Sequence, residues 1–151
     1  MGKLLDQVED FFITEGWKYG RVEEKDAVTL NMLGRNATFE IVGIEDEARD
    51  SVTFYTVAPN RVPEDRRLAV SEYLTRANYG LRNGNFEMDF ADGEVRYKTF
   101  IDVEGGELVI KMVENLFTSN FSTMDRYYPG LMKVIFGGAT PAAAVAEIEG
   151  I

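Results

Sequence analysis

Apolar and polar residues repeat along this chain with two different periods, and the switches between them mark out its elements. Residues 3–15 place Leu4, Leu5, Val8, Phe11 and Phe12 at helical spacing, with Lys3, Asp6, Glu9 and Asp10 elsewhere, so an amphipathic helix is predicted. Gly16 supplies a stop, and a short extended piece runs from Trp17 to Glu23. The period then falls to two. Residues 27–33 set Val28, Leu30 and Met32 on one face, and residues 37–45 do the same with Phe39 and Ile41. Residues 51–58 are rich in the β-branched and aromatic types that suit a pleated surface. Gly34-Arg35-Asn36 predicts a hairpin turn, and the acidic stretch 45–50 a loop.

The second half repeats this logic. Pro63 fits the first position of a helix, where its missing N–H costs nothing, and Leu68, Val70, Tyr73, Leu74 and Ala77 carry that helix to about Asn78, with Gly80 as the stop. Asn85–Phe90 alternates strictly, and Asp92-Gly93 leads into Val95–Thr99. A two-residue turn at Asp92-Gly93 pairs Phe90 with Val95, Met88 with Tyr97, Asp89 with Arg96 and Glu87 with Lys98, leaving one face apolar. Helices are predicted over 107–117 and 123–136, the second kinked or split at Pro129. Thr140 and Pro141 open a short C-terminal helix as N-cap and N1. The expectation is an α+β chain forming one domain over 1–151. An antiparallel sheet of about five strands lies against flanking helices, in the order α-β-β-β-α-β-β-α plus the short final helix.

Composition narrows the chemistry. Of 151 residues, 16 are Lys or Arg and 26 Asp or Glu, a formal charge of −10, while 45% are hydrophobic, enough for a packed core. Such acidity argues against duplex nucleic acid and against anionic membrane surfaces as partners. The chain has no His and no Cys, which removes the commonest general base, the commonest metal ligand and every thiolate site. No phosphate-loop or nucleophile-elbow pattern occurs. The acidic run Glu45, Asp46, Glu47 and Asp50 lacks the spacing of a calcium loop. No catalytic residue, metal or cofactor is expected. Acids at Asp6, Glu9 and Asp10 interrupt any secretory leader, and no window reaches the length of a membrane span, so a cytoplasmic location is expected.

Two clusters are candidates for partner binding. Arg66 and Arg67 lie with Arg61 and Arg76 around the second helix, either to meet an acidic partner peptide or a phosphate, or as a solvent face balanced by Glu64, Asp65 and Glu72. Phe117, Phe121, Tyr127, Tyr128 and Phe136 are more aromatic surface than one amphipathic stripe buries. They are either core around a kinked helix or a partly exposed patch for a protein partner or a second copy.

Several segments together carry a resemblance. They are Val62-Pro63-Glu64, the run Tyr73–Gly80, Gly84–Asp89, Asp92–Thr99, Met124–Leu131 and Ile135–Gly138, with the Thr140-Pro141 tail. On these the chain resembles the YbjN-domain family, described as bacterial sensory transduction regulators, from about residue 5 to 149, and its wording is most similar to cyanobacterial members. The resemblance implies a fold like the type III secretion chaperones, commonly homodimeric, with no catalytic residues. The motif residues then transfer as structural positions: Asn78 and Gly80 as a helix cap, Asp92 and Gly93 as a turn, Pro129 as a kink. The expected function is a non-enzymatic, chaperone-like or regulatory protein-binding module. The alternative is an acidic small-ligand or metal sensor with a pocket between helix and sheet.

Overall fold

The computed structural model describes residues 3–151. Helix α1 (Lys3–Glu15) opens the chain. Strand β1 (Gly20–Val22) and a 3-10 turn lead to β2 (Ala27–Leu33), β3 (Thr38–Asp46) and β4 (Ser51–Val57). After α2 (Arg67–Asn78) come β5 (Asn85–Met88) and β6 (Val95–Asp102), then α3 (Ile110–Ile135) and α4 (Pro141–Glu149). The strands form one antiparallel sheet in the order β1-β2-β3-β4-β6-β5. It has six strands rather than five, because part of the extended piece after α1 pairs with β2 as Gly20↔Thr29 and Val22↔Ala27.

The helices bury one face of this sheet in two cores. Leu5, Val8 and Phe12 of α1 pack with Val28, Ile41, Phe54 and the first half of α3. Tyr73 and Leu74 of α2, with α4 and the second half of α3, pack on Phe39, Phe86 and Tyr97. Asn120, fully buried, fixes α3 to the sheet: its amide donates to the Phe54 carbonyl (2.8 Å) and to Thr99 Oγ1 (3.0 Å). The Thr99 hydroxyl donates in turn to the Leu116 carbonyl.

Further expectations are corrected. The β5–β6 register is Met88↔Val95, Phe86↔Tyr97 and Glu87↔Arg96, two residues from the one predicted. The loop is wider than Asp92-Gly93: Asp89 and Glu94 close it (2.9 Å), and the Gly93 N–H returns to the Asp89 carbonyl (2.7 Å). Gly93, at φ +78, lies so close to the Val62 backbone that a Cβ would not fit, so contact with that segment sets the loop. A slip of two preserves the faces, so the apolar side stays inward. Pro63 is not N1 of α2; its ψ of 149 is extended, and a 3-10 turn, Glu64–Arg66, intervenes. Asn78 ends α2, but its side chain does not cap the helix; it goes to β5, as described below, while Gly80 takes φ +85 just beyond the helix end.

Pro129 neither splits α3 nor ends it, and the helix runs through 26 residues. A proline deprives the carbonyl four residues earlier of its donor. Here that carbonyl belongs to Asp125, and the Asn36 side-chain amide takes the vacant place (2.8 Å). The Asp125 carboxylate meanwhile accepts the N–H groups of Arg35 (2.9 Å) and Asn36 (3.0 Å), so the β2–β3 turn is docked on mid-helix. At the chain end, Thr140 accepts from the Ala143 N–H (3.2 Å) with Pro141 at N1, as predicted.

Candidate interaction surface

Strand β6 is twice as long as the strand beside it. It pairs with β4 over Arg96–Asp102 but with β5 only as far as Lys98. In an antiparallel ladder successive residues bond to opposite sides. Val95 and Val103 bond toward β4, through Ala58 and Asp50, while Glu94 bonds toward β5 through Asp89. Phe100 and Asp102 therefore aim their N–H and C=O groups at the side that β5 does not reach. Among the described residues no strand lies there.

The chain closes the other edge at this end of the sheet. Asn78 exchanges two hydrogen bonds with Phe86, accepting from its N–H (2.7 Å) and donating to its carbonyl (3.1 Å), as a neighbouring strand would. The segment before β5 then leaves the line of the strand. Gly84, at φ +83, presses on the Lys98 carbonyl and Thr99 with no room for a Cβ. The Asn83 amide donates to Ser119 Oγ on α3 (3.0 Å), and the Asn83 carbonyl accepts from the Tyr97 hydroxyl, whose pKa burial raises. This departure opens a groove of about 740 Å³ lined by Arg82, Asn83, Asn115, Thr118, Ser119 and Thr123 among others.

The sheet face away from the helices continues this surface. Val42, Ile44, Tyr55, Val57 and Phe100 belong to neither core. The register makes them neighbours: Val42↔Tyr55↔Lys98 in one row and Ile44↔Thr53↔Phe100 in the next. Phe100 is 52% exposed. Arg96 stacks over Tyr55 at 3.9 Å and pairs with Glu87 (2.6 Å). Arg82 and Lys98 have no ion pair among the described residues, although the chain has a large excess of acids.

The residues singled out from sequence lie elsewhere. Phe117 is buried among the rings of Phe11, Phe12, Trp17 and Phe54, at 5.1–5.8 Å. Tyr127 is buried, and its hydroxyl, donating to Glu149 (2.7 Å), has its pKa raised to about 12, by desolvation first and by that carboxylate second. Tyr128 is buried against Phe39 and donates to Asn60. Phe121 is half-buried and touches both cores. Arg66 donates to the Val134 carbonyl at the end of α3 (2.6 Å), and Arg67 to the carbonyls of Val62 (3.0 Å) and Phe90 (2.9 Å). Apart from Phe136, which is 67% exposed just beyond α3, the aromatic excess thus fills two cores instead of one stripe, and the two arginines hold helix and loop ends. Sequence reasoning missed Phe100, Arg82 and Lys98. The available signal was Phe100 itself, an aromatic on the face that otherwise carries Arg96, Lys98 and Asp102.

The model of the YbjN family, described as "Putative bacterial sensory transduction regulator", matches residues 4–132. No curated protein matches the chain. Three solved structures share its fold. The ExsC–ExsE complex aligns with a TM-score of 0.57 at 13% identity, covering 84% of this chain and 92% of that one. The HopA1–SchA chaperone–effector complex gives 0.53 at 14%, covering 80% and 89%. YbjN from E. coli gives 0.57 at 13%, covering 87% and 88%. The fold is therefore α+β and similar to type III secretion chaperone structures, as the resemblance implied.

Proposed function

The chain belongs to the YbjN family, and from that premise we propose that it is a non-enzymatic module that holds an extended segment of another protein. The observation that carries this reading is the open edge of β6 at Phe100, beside an apolar sheet face that no helix covers among the described residues. An exposed strand edge offers main-chain hydrogen bonds to any extended chain, and flanking side chains supply selectivity. Two solved structures of this fold are complexes, one of them a chaperone with its effector, and this supports a protein partner for the present chain. The absence of His and Cys agrees with binding rather than turnover.

The test places a photo-crosslinking phenylalanine analogue at position 100, and separately at exposed Glu64, in extract of the producing bacterium. A discrete adduct at 100, absent at 64 and displaced by excess unlabelled protein, is the expected result. Equal labelling at both positions, or none at 100, would overturn the reading. We read the module further as a homodimer, on the strength of the family resemblance. Light scattering behind size exclusion should then give twice the 17.0 kDa of one chain.

A further inference from the structure

We infer that the segment taken by β6 is acidic, with an apolar residue opposite Phe100 and a Glu or Asp next to it on the Arg82 side. This deepens the protein-binding reading and rests on it. A residue paired across a strand shares the face of its partner. The residue opposite Phe100 therefore lies on the outer face, beside an aromatic ring that is 52% exposed. Its neighbours in the segment turn to the opposite face, where the groove of Arg82, Asn83, Asn115 and Thr118 begins.

That groove holds hydrogen-bonding groups and a cation but no carboxylate. Arg82, the cation that lines this groove, is exposed and has no ion pair among the described residues. Asn115 and Thr118 supply further polar groups without a hydrogen bond of their own side chains. On the outer side Lys98 is likewise unpaired, at the end of the open stretch where β5 stops. Asp102 stands at the other end of that outer face, so its two ends differ in sign, while an acid on the groove face meets Arg82. A planar guanidinium flanked by amide and hydroxyl groups suits a carboxylate, which accepts from all of them.

The experiment uses the full chain, labelled with 15N, and three short acetylated and amidated peptides. One has a central valine flanked by glutamates, the second has lysines for the glutamates, and the third repeats the first with the valine N-methylated. Ionic strength is held at about 0.15 M, because the net charge of −10 would otherwise repel the acidic peptide at long range. The glutamate peptide should shift the amide signals of Phe100 and Asp102 and bind at least about tenfold more tightly than the lysine peptide, a difference of about 1.4 kcal/mol. N-methylation should remove the Phe100 shift, and Arg82→Glu should reverse the preference. Equal affinity for both charges, a shift that survives N-methylation, or no shift at Phe100 at millimolar peptide each overturns the inference. Crosslinking at position 100 is read separately: an adduct there alongside any of these results leaves the protein-binding reading standing and removes only its acidic partner.

Discussion

The side-chain amide of Asn36 donates to the main-chain carbonyl of Asp125, which Pro129 leaves without its helical donor. A turn between two strands thereby completes a helix 89 residues away in sequence, and the proline becomes a docking point.

This relationship predicts a coupling. Asn36→Ala should destabilise the protein by about 1 kcal/mol, the ordinary worth of one hydrogen bond. In a Pro129→Ala background the helix supplies its own N–H to Asp125, so the Asn36 effect should shrink by at least about 0.5 kcal/mol. Urea denaturation of the two single variants and the double variant closes the cycle. Asp125→Ala, which strips a charged acceptor from two N–H groups, should cost more, about 2–3 kcal/mol.

Glu45 predicts a pH effect of unusual sign. Its carboxylate is buried against the first turn of α1, where it accepts the Leu5 N–H (2.8 Å). Desolvation raises its pKa; the Leu5 N–H opposes this, and the nearby charges of Glu47 and Asp26 add to it. A carboxyl group whose pKa is higher folded than unfolded binds more protons in the folded state, so its contribution to stability grows as pH falls through the folded value. Glu45→Gln keeps an acceptor for Leu5 and removes the titration. The stability of the Gln variant relative to the native chain should therefore be greatest at pH 7 and decline toward pH 4, as followed by denaturant midpoints.

Gly130 is needed because Tyr73 enters the helix at that point. The Tyr73 hydroxyl donates to the Tyr127 carbonyl (2.7 Å), and a Cβ on Gly130 would collide with that hydroxyl. Gly130→Ala should lower stability by about 1–2 kcal/mol, the overpacking cost outweighing the ~1 kcal/mol that alanine gains in helix propensity. In a Tyr73→Phe background the loss should shrink but not vanish, since the ring carbons of residue 73 still lie about 3 Å from the added Cβ, which calorimetric melting of the four proteins would show.

Asn78 guards an edge. Asn78→Ala leaves the Phe86 N–H and carbonyl without their bidentate partner. The variant should lose about 1–2 kcal/mol and should associate increasingly with concentration, since β5 becomes a further open edge. Light scattering over a concentration series measures both the onset and the stoichiometry.

How much of this was legible in the sequence depends on the range of the interactions. The alternation of Val28, Leu30 and Met32 and the spacing of Leu5, Val8 and Phe12 placed β2 and α1 correctly, because each element announces its own buried face. The β5–β6 register was misplaced because Asp92-Gly93 is a good local turn, while contact of Gly93 with Val62, thirty-one residues earlier, decides the loop. Pro129 read as a break because its compensation, Asn36, comes from another element. The candidate surface was hidden for a related reason. An open edge is a property of where β5 stops relative to β6; Phe100 stands out in sequence as an aromatic on a charged face, but neither it nor Arg82 reveals the edge until the strands are paired.

Helix α3 is shared by both hydrophobic cores, with half-buried Phe121 touching each. At 1.5 Å per residue its 26 residues form a rod of about 39 Å. Neither end of the molecule can loosen without leaving the opposite half of that rod still clamped, so amide exchange should divide into two cooperative units. Strand β6 touches both: Tyr97, in the part paired with β5, belongs to the core built on α2 and α4, and Ile101, in the open stretch, packs on the other. A chain added there would staple the two units together, and its arrival would be reported as slower exchange far from the contact itself.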